Sequence, residues 1–336
     1  MNKIGIHYRK GSYSDHWIAY CKQQNLPYKI VNAYDNDIIK DLEDCNIFMW
    51  HHHQSYPTDA IYAKQLLFAL EQAGKIVYPN WKTGWHFDDK LGQKYLLEAL
   101  NTPLIPSFAF FSKKEALKWI SNHKLPVVFK LRGGASSYNV KLIRTKAEAK
   151  SIIKKAFGKG FRQYDPFVGF KETIRKFMKK EASVRDIIKS VAHFVYPYQL
   201  EKSKGREKGY VYFQEFIPNC DYDIRVQLVG NKCYAMKRYV RKNDFRASGG
   251  GKIDYDGSKI PVEAIKLSFE VAKALQMQTM AIDLLPYGDS FLIAEVSYAF
   301  AIDDGELDPG YWDTSLQWHS GKINPFAWMV EELYKH

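Results

Sequence analysis

Two carboxylates in apolar surroundings, Asp283 and Glu295, are the residues of this sequence most suited to chemistry. They lie in AIDLLPYGDSFLIAEVSY, where two apolar runs of strand length flank a Pro-Tyr-Gly-Asp turn, a pattern that predicts a β-hairpin. Burial of one carboxylate costs several kcal/mol, and two side by side also repel each other unless a cation lies between them. The pair therefore favours a divalent metal site that faces a phosphate. The alternative is an ion pair between each acid and an Arg or Lys, the commoner arrangement for a single buried acid.

A lysine followed by a loop of small residues forms a second candidate site. The run LPVVFKL predicts a buried strand that carries one cation, Lys130, and it leads directly into RGGASS, which contains Ser136 and Ser137. Small residues let backbone N–H groups approach a phosphate closely, while the lysine neutralises its charge. The spacing differs from GxxxxGK[ST], which excludes a Walker site. A tight hairpin would explain the glycines equally well.

Three further polar side chains lie on predicted strands in the second half of the chain. The strand VYFQEFI ends near an acid, Glu215. The strand DYDIRVQLV carries Asp223 and Arg225, which project from the same face because they are two residues apart. This strand and KCYAMKRYV predict an antiparallel pair around a Gly-Asn turn. The glycine-rich loop RKNDFRASGGGKI follows, with several cations at its start.

Three consecutive histidines, His51, His52 and His53, follow the third predicted strand. Adjacent residues of an extended strand point to opposite faces, so all three cannot bind one metal ion without a bend in the chain. Open α/β sheets bind ligands at the carboxyl ends of their strands. A contact between one of these histidines and a substrate is therefore the better functional interpretation.

The elements that must position these residues fall into at least two domains. Strand and helix patterns alternate over about the first eighty residues, which predicts a parallel, doubly wound sheet. No GxGxxG motif follows the first strand, so dinucleotide binding is unsupported. The pattern changes at Asp88, where a second domain is expected to begin.

Composition limits the class of protein. With 336 residues, 46% of them hydrophobic, the chain can bury a large core. It contains no run of eighteen apolar residues, and its N-terminus lacks the apolar stretch of a signal peptide, so we expect no membrane span and a cytoplasmic location. The four cysteines lack CxxC spacing, which suits reduced thiols.

The net charge of +12 comes from one segment. Residues 141–208 contain 19 Lys and Arg against 7 Asp and Glu, so the rest of the chain is balanced. Such a basic segment suggests an acidic partner, which could be an anionic substrate, a phospholipid surface or nucleic acid. Nucleic acid is disfavoured because the sequence has no RNP, zinc-finger or helix-turn-helix signature. A solvated helical face is the plain alternative.

The order of these motifs resembles that of the ATP-grasp superfamily, and most closely that of the RimK-like carboxylate-amine ligases. The motifs in question are Lys130 with RGGASS, the hinge QEFI, the strand DIRV, the loop NDFRAS and the hairpin from DLL to AEV. The resemblance extends over about residues 81–301, and five short motifs in the same order are hard to obtain by chance.

The resemblance implies an α/β fold with an α+β ATP-grasp core. A Rossmann-like pre-grasp domain would occupy residues 1–86. The first lobe of a two-lobed ATP-grasp domain would span residues 87–208, including a basic helical insertion at 157–208. The second lobe, with the metal hairpin and a C-terminal tail, would span residues 209–336.

The resemblance also implies which residues bind the nucleotide. Lys130, Lys90 and the loop serines Ser136 and Ser137 would contact the phosphates of ATP. The adenine would be held by the hinge, and the ribose would face an acid of the next strand. These residues are Glu215, the backbone of Phe216 and Ile217, and Asp223.

Catalytic and metal-binding roles are implied in the same way. Arg225 and Arg246 would contact the transferred phosphate and the acyl phosphate. Asp283 and Glu295 would bind Mg²⁺, with Mn²⁺ as the other candidate, and Ser297 would be the third ligand. Ser297 stands where the family usually has Asn, and Ser248 likewise replaces an Asn, so the second metal position departs from the family pattern. Asp303 and Asp304 are the candidates to supply the missing oxygen.

The implied function is an ATP-dependent ligase that joins a carboxylate to an amine, such as an amino acid, through an acyl phosphate and releases ADP and phosphate. The carboxylate could belong to a small molecule, a peptide or a saccharide. We expect the insertion at 157–208 to lie over the active-site mouth, as a lid or as the docking surface of an acidic acceptor. The oligomeric state is left open, a homodimer included. Two alternatives remain: a catalytically degenerate nucleotide-binding module, favoured by Ser297 and Ser248, and a basic binder of anionic surfaces or nucleic acid.

Overall fold

The computed structural model of the chain contains three β-sheets within the residues that it describes. It describes residues 2–133, 139–163, 166–178, 182–194, 196, 205–240, 252–301 and 310–335.

The first sheet has four parallel strands in the order β2-β1-β3-β4. Its strands are β1 (Ile4–His7), β2 (Tyr28–Val31), β3 (Ile47–Met49) and β4 (Ile76–Tyr78), and its helices are α1 (Tyr13–Gln23), α2 (Ile38–Asp41), α3 (Pro57–Gln72) and α4 (Trp81–Gly84). Parallel neighbours need crossover connections, which the first three helices provide. The predicted parallel α/β domain is thereby confirmed, and loops that follow β1 and β3 meet at one edge of its sheet.

The second sheet is antiparallel, in the order β5-β8-β6-β7. The elements in this part of the chain are α5 (Lys90–Ala99), β5 (Ser107–Phe110), α6 (Lys113–Asn122), β6 (Val127–Lys130), β7 (Lys141–Ile143), α7 (Lys146–Ala156) and β8 (Val211–Glu215). The side chain of Ser112 caps α6, as its sequence position suggests, and Thr145 forms a capping box with Glu148 at the start of α7. Strand β8 completes this sheet although it follows the predicted boundary between residues 208 and 209.

Two helices occupy the described part of the basic insertion, α8 (Pro166–Met178) and α9 (Val184–Ala192). They pack against each other, and a capping box of Ser183 and Asp186 begins α9. Val184, Ile188 and Val191 lie on one exposed face of α9, because residues three and four apart are neighbours on a helix. None of the helices that the structure describes is long and apolar enough to span a membrane.

The third sheet is antiparallel, with the order β13-β12-β9-β10-β14-β15 and β11 paired to β10. Its elements are β9 (Tyr222–Val229), β10 (Lys232–Tyr239), β11 (Ile253–Asp254), a short 3₁₀ helix (Gly257–Lys259), α10 (Val262–Leu275), β12 (Thr279–Tyr287), β13 (Ser290–Ser297), β14 (Tyr311–Asp313), β15 (Trp318–His319) and α11 (Pro325–Tyr334). The two-lobed α+β arrangement that the resemblance implies for the ATP-grasp core is therefore present.

Strands β12 and β13 form the predicted hairpin. Gly288 and Asp289 make its turn, and Gly288 has a φ of +58°, which favours glycine. Asp283 lies opposite Glu295, and the register shifts immediately after Asp283. Such an irregularity is a β-bulge, which locally re-aims side chains. The two carboxylates thus meet on adjacent strands, as the sequence pattern predicts.

The first and third sheets share one hydrophobic core, whereas the second sheet packs with α6 and α7 around a core of its own. Polar contacts reinforce the shared core. The hydroxyl of Tyr13 donates to the carbonyl oxygen of Phe300 at 2.7 Å, and the Phe300 N–H donates to that hydroxyl at 2.7 Å. The hydroxyl groups of Tyr78 and Thr279 form a hydrogen bond of 2.9 Å. The N-terminal sheet is thereby fixed to the sheet that carries the two carboxylates.

Candidate active site

A cavity of about 960 Å³ is lined by residues from all three parts of the fold. Its size is within the range usual for ligand sites. Ten of the thirteen predicted site residues line it: Lys90, Lys130, Glu215, Phe216, Ile217, Asp223, Arg225, Asp283, Glu295 and Ser297. The other three, Ser136, Ser137 and Arg246, lie outside the described residues, as do Ser248, Asp303 and Asp304. Within the described part of the insertion at 157–208, no residue lines the cavity.

At the centre of the cavity, two arginines and two aspartates form a network across three strands. Arg225 on β9 donates to both carboxylate oxygens of Asp283 on β12, at 2.7 and 2.8 Å. Arg238 on β10 does the same with Asp223 on β9, at 2.7 and 2.6 Å. The Nη2 of Arg238 also lies 3.0 Å from Asp283 Oδ2, so Asp283 is shared by two guanidinium groups. Bidentate pairs of this kind fix both side chains in one orientation.

This network shifts the pKa values of both aspartates. Burial alone would raise the pKa of Asp283, but the charges of Arg225 and Arg238 outweigh it and hold the pKa well below its usual range. Burial raises the pKa of Asp223, and the neighbouring Asp283 raises it further, while Arg238 opposes both effects. Asp283 is therefore the firmly ionised member of the pair.

Two lysines extend the positive charge of the cavity. Lys90, at the start of α5, lies 3.2 Å from Glu295 Oε1, and Lys130, at the end of β6, donates to Gln214 Oε1 at 2.6 Å. Burial lowers the pKa of Lys130 to about 8, and the charge of Lys90 also acts in this direction. The pKa of Lys90 is raised despite its burial, because Glu295 and Asp88 are close. A negative charge bound beside Lys130 would therefore raise its pKa again.

One end of the cavity has apolar walls and is bordered by the polar hinge. Val128 from the second sheet and Leu285 from the third sheet both line it. Glu215 lies at the end of β8, and its backbone N–H donates to the carbonyl oxygen of Pro106. Its Oε1 lies 2.8 Å from the Nε2 of His123. His123 in turn stacks on Trp119, with ring centroids 4.0 Å apart. No sequence motif marks His123, which comes close to the hinge only through the pairing of β8 between β5 and β6.

The carboxylates suit Mg²⁺ only when phosphate oxygens complete the ligand set. No group of three or more His, Cys, Asp or Glu residues able to hold a metal occurs among the described residues. Asp283 and Glu295 lie opposite each other, and each is paired with a basic side chain, the arrangement left open as an alternative from the sequence. One or two carboxylates together with substrate phosphates are what Mg²⁺ usually binds. The Ser297 hydroxyl bonds instead to the backbone of Ala299, donating at 2.8 Å and accepting at 3.1 Å.

Two of the three histidines lie at the N-terminal end of the cavity. His51 and His53 line it, together with Arg9 and Tyr56. His52 is buried against Phe87 and is held away from the cavity lining. Burial lowers the pKa of all three, to about 3 for His52 and well below the usual value for His51. Arg9 adds to this shift in each case, and all three imidazoles are therefore neutral at neutral pH.

The comparisons with known proteins agree with this architecture. Residues 198–307 match the family model described as RimK-like ATP-grasp domain. The chain has the ATP-grasp fold. The matched residues include the hinge, the network of arginines and aspartates, and the β12–β13 hairpin. The resemblance inferred from the motifs is confirmed. No curated protein matches the chain in sequence.

Three solved structures illustrate the shared ATP-grasp fold. An ATP-grasp RimK domain protein of Sphaerobacter thermophilus is 12% identical, with a TM-score of 0.55, over 99% of this chain and 100% of the other. A D-alanine–D-alanine ligase of Bacillus anthracis is 13% identical, with a TM-score of 0.56, over 100% and 96%. The biotin carboxylase domain of a Hydrogenobacter thermophilus 2-oxoglutarate carboxylase, in complex with MgADP, ADP and bicarbonate, is 11% identical, with a TM-score of 0.58, over 100% and 70%. Identities this low establish the fold and no more.

Proposed function

We propose that the chain is an ATP-dependent ligase that joins a carboxylate to an amine through an acyl phosphate. The observation that carries this proposal is the meeting of Lys90, Lys130 and Arg225 with two carboxylates, Asp283 and Glu295, in one cavity of an ATP-grasp fold. Such a set can hold a polyphosphate and a metal ion while it leaves room for a second substrate. The similar structures include a ligase and a nucleotide complex, which supports the same assignment.

The apolar end of the cavity suits adenine. Its walls, Val128 and Leu285, come from different sheets, so a flat ring would lie between the two lobes. Glu215 and the following Phe216 and Ile217 provide polar backbone and side-chain groups at the edge of this slot. The phosphates would then extend toward Lys130 and Lys90, with Ser136 and Ser137 as further predicted contacts. Asp223 would face the ribose, while both of its carboxylate oxygens accept hydrogen bonds from Arg238.

The reaction would proceed in two steps. In the first step, an oxygen of the substrate carboxylate attacks the γ-phosphorus, a P–O bond forms, and the bond to ADP breaks. Lys130, Lys90 and Arg225 would stabilise the charge that spreads over the phosphoryl oxygens, with Arg246 as a further predicted contact. In the second step, the amine nitrogen attacks the acyl carbon, the C–N bond forms, phosphate leaves, and the nitrogen gives up a proton. Neither step requires a protein nucleophile.

Asp283 and Glu295 would hold Mg²⁺, or Mn²⁺ in its place, with Ser297 as the third predicted ligand. When bound, such an ion would neutralise phosphate charge and orient the phosphoryl group. The arginines have a separate role, because Arg225 and Arg238 fix the position of Asp283 through its two oxygens. Because Asp283 is already held in place, less entropy is lost when the substrates bind and the active site becomes ordered.

A second function, a catalytically degenerate nucleotide-binding module, is favoured by one observation. The Ser297 hydroxyl is hydrogen-bonded to the backbone of Ala299, so it is a weaker metal ligand than a free amide oxygen would be. Such a module would bind ATP without an acid-dependent release of ADP. Turnover therefore separates the two functions.

The test is an ADP-release assay over a panel of carboxylates and amines, with products identified by mass spectrometry. The ligase predicts ADP release that requires both an acid and an amine, and a product mass equal to their sum less one water. Calorimetry with ATP provides the binding reference, and the Lys130→Ala variant should bind ATP about 10- to 100-fold more weakly, because a charge-assisted phosphate contact is lost. ATP binding without ADP release for any pair of substrates would support the degenerate module and contradict the ligase.

A further inference from the structure

The N-terminal end of the cavity takes no part in the phosphoryl transfer described above. We call it the N-terminal subsite and define it by Arg9, His51, His53 and Tyr56, which line the cavity together. Arg9 follows β1 and the histidines follow β3. The subsite therefore lies at the carboxyl ends of two adjacent parallel strands, where open α/β sheets bind ligands.

Arg9 is held in one orientation by a buried acid. Its Nη1 donates to Asp59 Oδ2 at 2.7 Å, its Nη2 donates to the carbonyl oxygen of His51, and its guanidinium lies 4.1 Å from the centre of the Tyr56 ring. The Asp59 side chain has no exposed surface and also accepts from the hydroxyl of Tyr34 at 2.5 Å. An arginine has five N–H donors, and these contacts engage only two of them. A fixed guanidinium thus lines the cavity with donors to spare.

The two histidines add N–H donors. The backbone N–H of Tyr13 donates to His51 Nδ1 at 3.3 Å, and that of Ser55 donates to His53 Nδ1 at 3.2 Å. Because each neutral imidazole accepts through Nδ1, its proton must lie on Nε2. The Nε2 of His51 is buried and has no hydrogen-bond partner among the residues that the structure describes. A buried donor without a partner is costly, and a ligand acceptor would satisfy it.

Backbone donors at the start of α1 are already used. The Gly11 N–H donates to Asp15 Oδ2 at 2.6 Å. The Ser12 N–H donates to the carbonyl oxygen of Arg9, and the Tyr13 N–H donates to His51 Nδ1. The helix N-terminus therefore adds little to ligand binding here. The Asp15 carboxylate also lines this end of the cavity, and its bond to Gly11 keeps it beside the helix start. The donors left for a ligand belong to side chains.

We propose that Arg9, His51 and His53 bind an anionic group of the substrate, a carboxylate or a phosphate, that is separate from the atoms that react. This inference rests on the proposed ligase function and names a class within it: one substrate carries an anionic group in addition to its reacting carboxylate or amine. Arg225, at the centre of the same cavity, would face the reacting end. Phe300, whose backbone is fixed by Tyr13, lines the wall of this cavity and suits the part of the substrate between its two ends.

The experiment measures anion binding directly, without turnover. Succinate and inorganic phosphate are titrated separately into the full chain labelled with ¹⁵N-histidine, and the Nε2 shifts of His51 and His53 are followed by NMR. The titrations are run with and without a saturating non-hydrolysable ATP analogue and Mg²⁺, which blocks the phosphate-binding centre of the cavity. If the analogue does not bind, the proposed function fails while the subsite is still tested.

With the analogue present, we expect the Nε2 signals of His51 and His53 to shift saturably with succinate, with phosphate or with both. The anion that binds more tightly shows whether the subsite prefers a carboxylate or a phosphate. Arg9→Lys keeps the ion pair with Asp59 and should weaken binding about 3- to 10-fold, whereas Arg9→Gln should weaken it at least about 10-fold. The exposed Arg144→Gln is the matched control and should bind as the unaltered chain does.

Arg9→Gln leaves the buried Asp59 without its basic partner. If this variant does not fold, the double variant Arg9→Gln, Asp59→Asn provides a second test. It removes both charges of the pair and should fold, as circular dichroism will show, but should not bind the anion. Equal affinity in the unaltered chain and in either Gln variant would overturn the proposal. Unsaturable shifts in the unaltered chain, for both anions, would overturn it as well.

Discussion

Asp283 faces Arg225 across β12 and β9 and accepts two hydrogen bonds from its guanidinium, at 2.7 and 2.8 Å. A third contact, from Arg238 at 3.0 Å, makes this carboxylate the shared counter-ion of two arginines. Asp283 therefore has a structural role beside its predicted metal-binding role. The two roles can be separated by measuring stability and turnover on the same variants.

The first prediction concerns the stability of an Asp283→Asn variant. The substitution removes the carboxylate that Arg225 and Arg238 share in a largely buried place, so the free energy of unfolding should fall by about 3–5 kcal/mol. Turnover should also be lost. Denaturant unfolding at neutral pH measures the first effect, and ADP release measures the second.

A double variant, Asp283→Asn with Arg225→Gln, is the control. It removes one positive and one negative charge, so it should recover part of the lost stability but none of the turnover. A single variant as stable as the unaltered chain would show that Asp283 is not needed to neutralise the arginines.

The second prediction concerns Glu295, whose side chain is 38% exposed and forms an ion pair with Lys90. Glu295→Gln should lower the free energy of unfolding by less than Asp283→Asn does, because Glu295 is partly exposed and its buried partner Lys90 keeps Asp88 nearby. Turnover should nevertheless fall steeply if Glu295 binds the metal, and the Mg²⁺ concentration needed for half-maximal rate should rise. The exposed turn residue Asp289, changed to Asn, is the matched control. Retention of the full rate and of the Mg²⁺ dependence would remove Glu295 from the metal site.

Part of this site could be predicted from local sequence patterns. The two-residue turn of Gly230 and Asn231 fixes the register of β9 and β10, and that register places Arg238 opposite Asp223. The sequence indicates the turn, but Arg238 is recognised only when the register is followed to the seventh residue of β10, and no motif in the sequence marks it. The alternation of side chains along β9 correctly placed Asp223 and Arg225 in the same cavity.

Other contacts depend on packing between distant segments and have no local signal. Lys90 and Glu295 meet because α5 lies beside β13, and Glu215 meets His123 because β8 inserts between β5 and β6. Arg9 was also missed, since its importance depends on Asp59, a partner fifty residues away on α3. Side-chain pairing of this kind is decided by the tertiary fold and not by periodicity.

The third prediction is a proton linkage at Lys130. The pKa of this lysine is lowered to about 8 without nucleotide, and phosphate charges would raise it. Above pH about 8 a growing fraction of Lys130 must therefore take up a proton when ATP binds, and affinity should fall about tenfold per pH unit there. A terminal phosphate titrates near pH about 6, so the ligand does not contribute in this range. Calorimetry in two buffers of different ionisation enthalpy, slightly above pH 8, measures the uptake.

Lys130→Arg is the control for this linkage, because an arginine stays protonated throughout the range. The variant should retain a charged group near the phosphates and lose the proton uptake. If the uptake persists in Lys130→Arg, another group is responsible and the assignment of Lys130 to the phosphate site loses its support.

The fourth prediction assigns His123 to the positioning of the hinge acid. Its Nε2 lies 2.8 Å from Glu215, and its ring is held by stacking on Trp119. His123→Phe should keep the stacking and lose the polar contact, which should raise the KM for ATP about 5- to 30-fold with little change in kcat. Asn122→Ala, at the exposed end of the same helix, is the control. A reduced kcat with an unchanged KM for ATP would contradict a role in adenine binding.

The last prediction concerns the basic insertion at 157–208, which we expect to bind an acidic acceptor although none of its described residues lines the cavity. Arg185 and Lys189 are exposed on α9, so their charges can act on a partner at the surface but are screened over about 8 Å at physiological ionic strength. Their reversal to Glu should raise the KM for the acceptor, more steeply at low salt, and leave the KM for ATP unchanged. Reversal of Lys113 and Lys114, an exposed pair at the start of α6, controls for the change in net charge. If both double variants give the same acceptor kinetics at every salt concentration, the insertion is a solvated surface with no part in the choice of substrate.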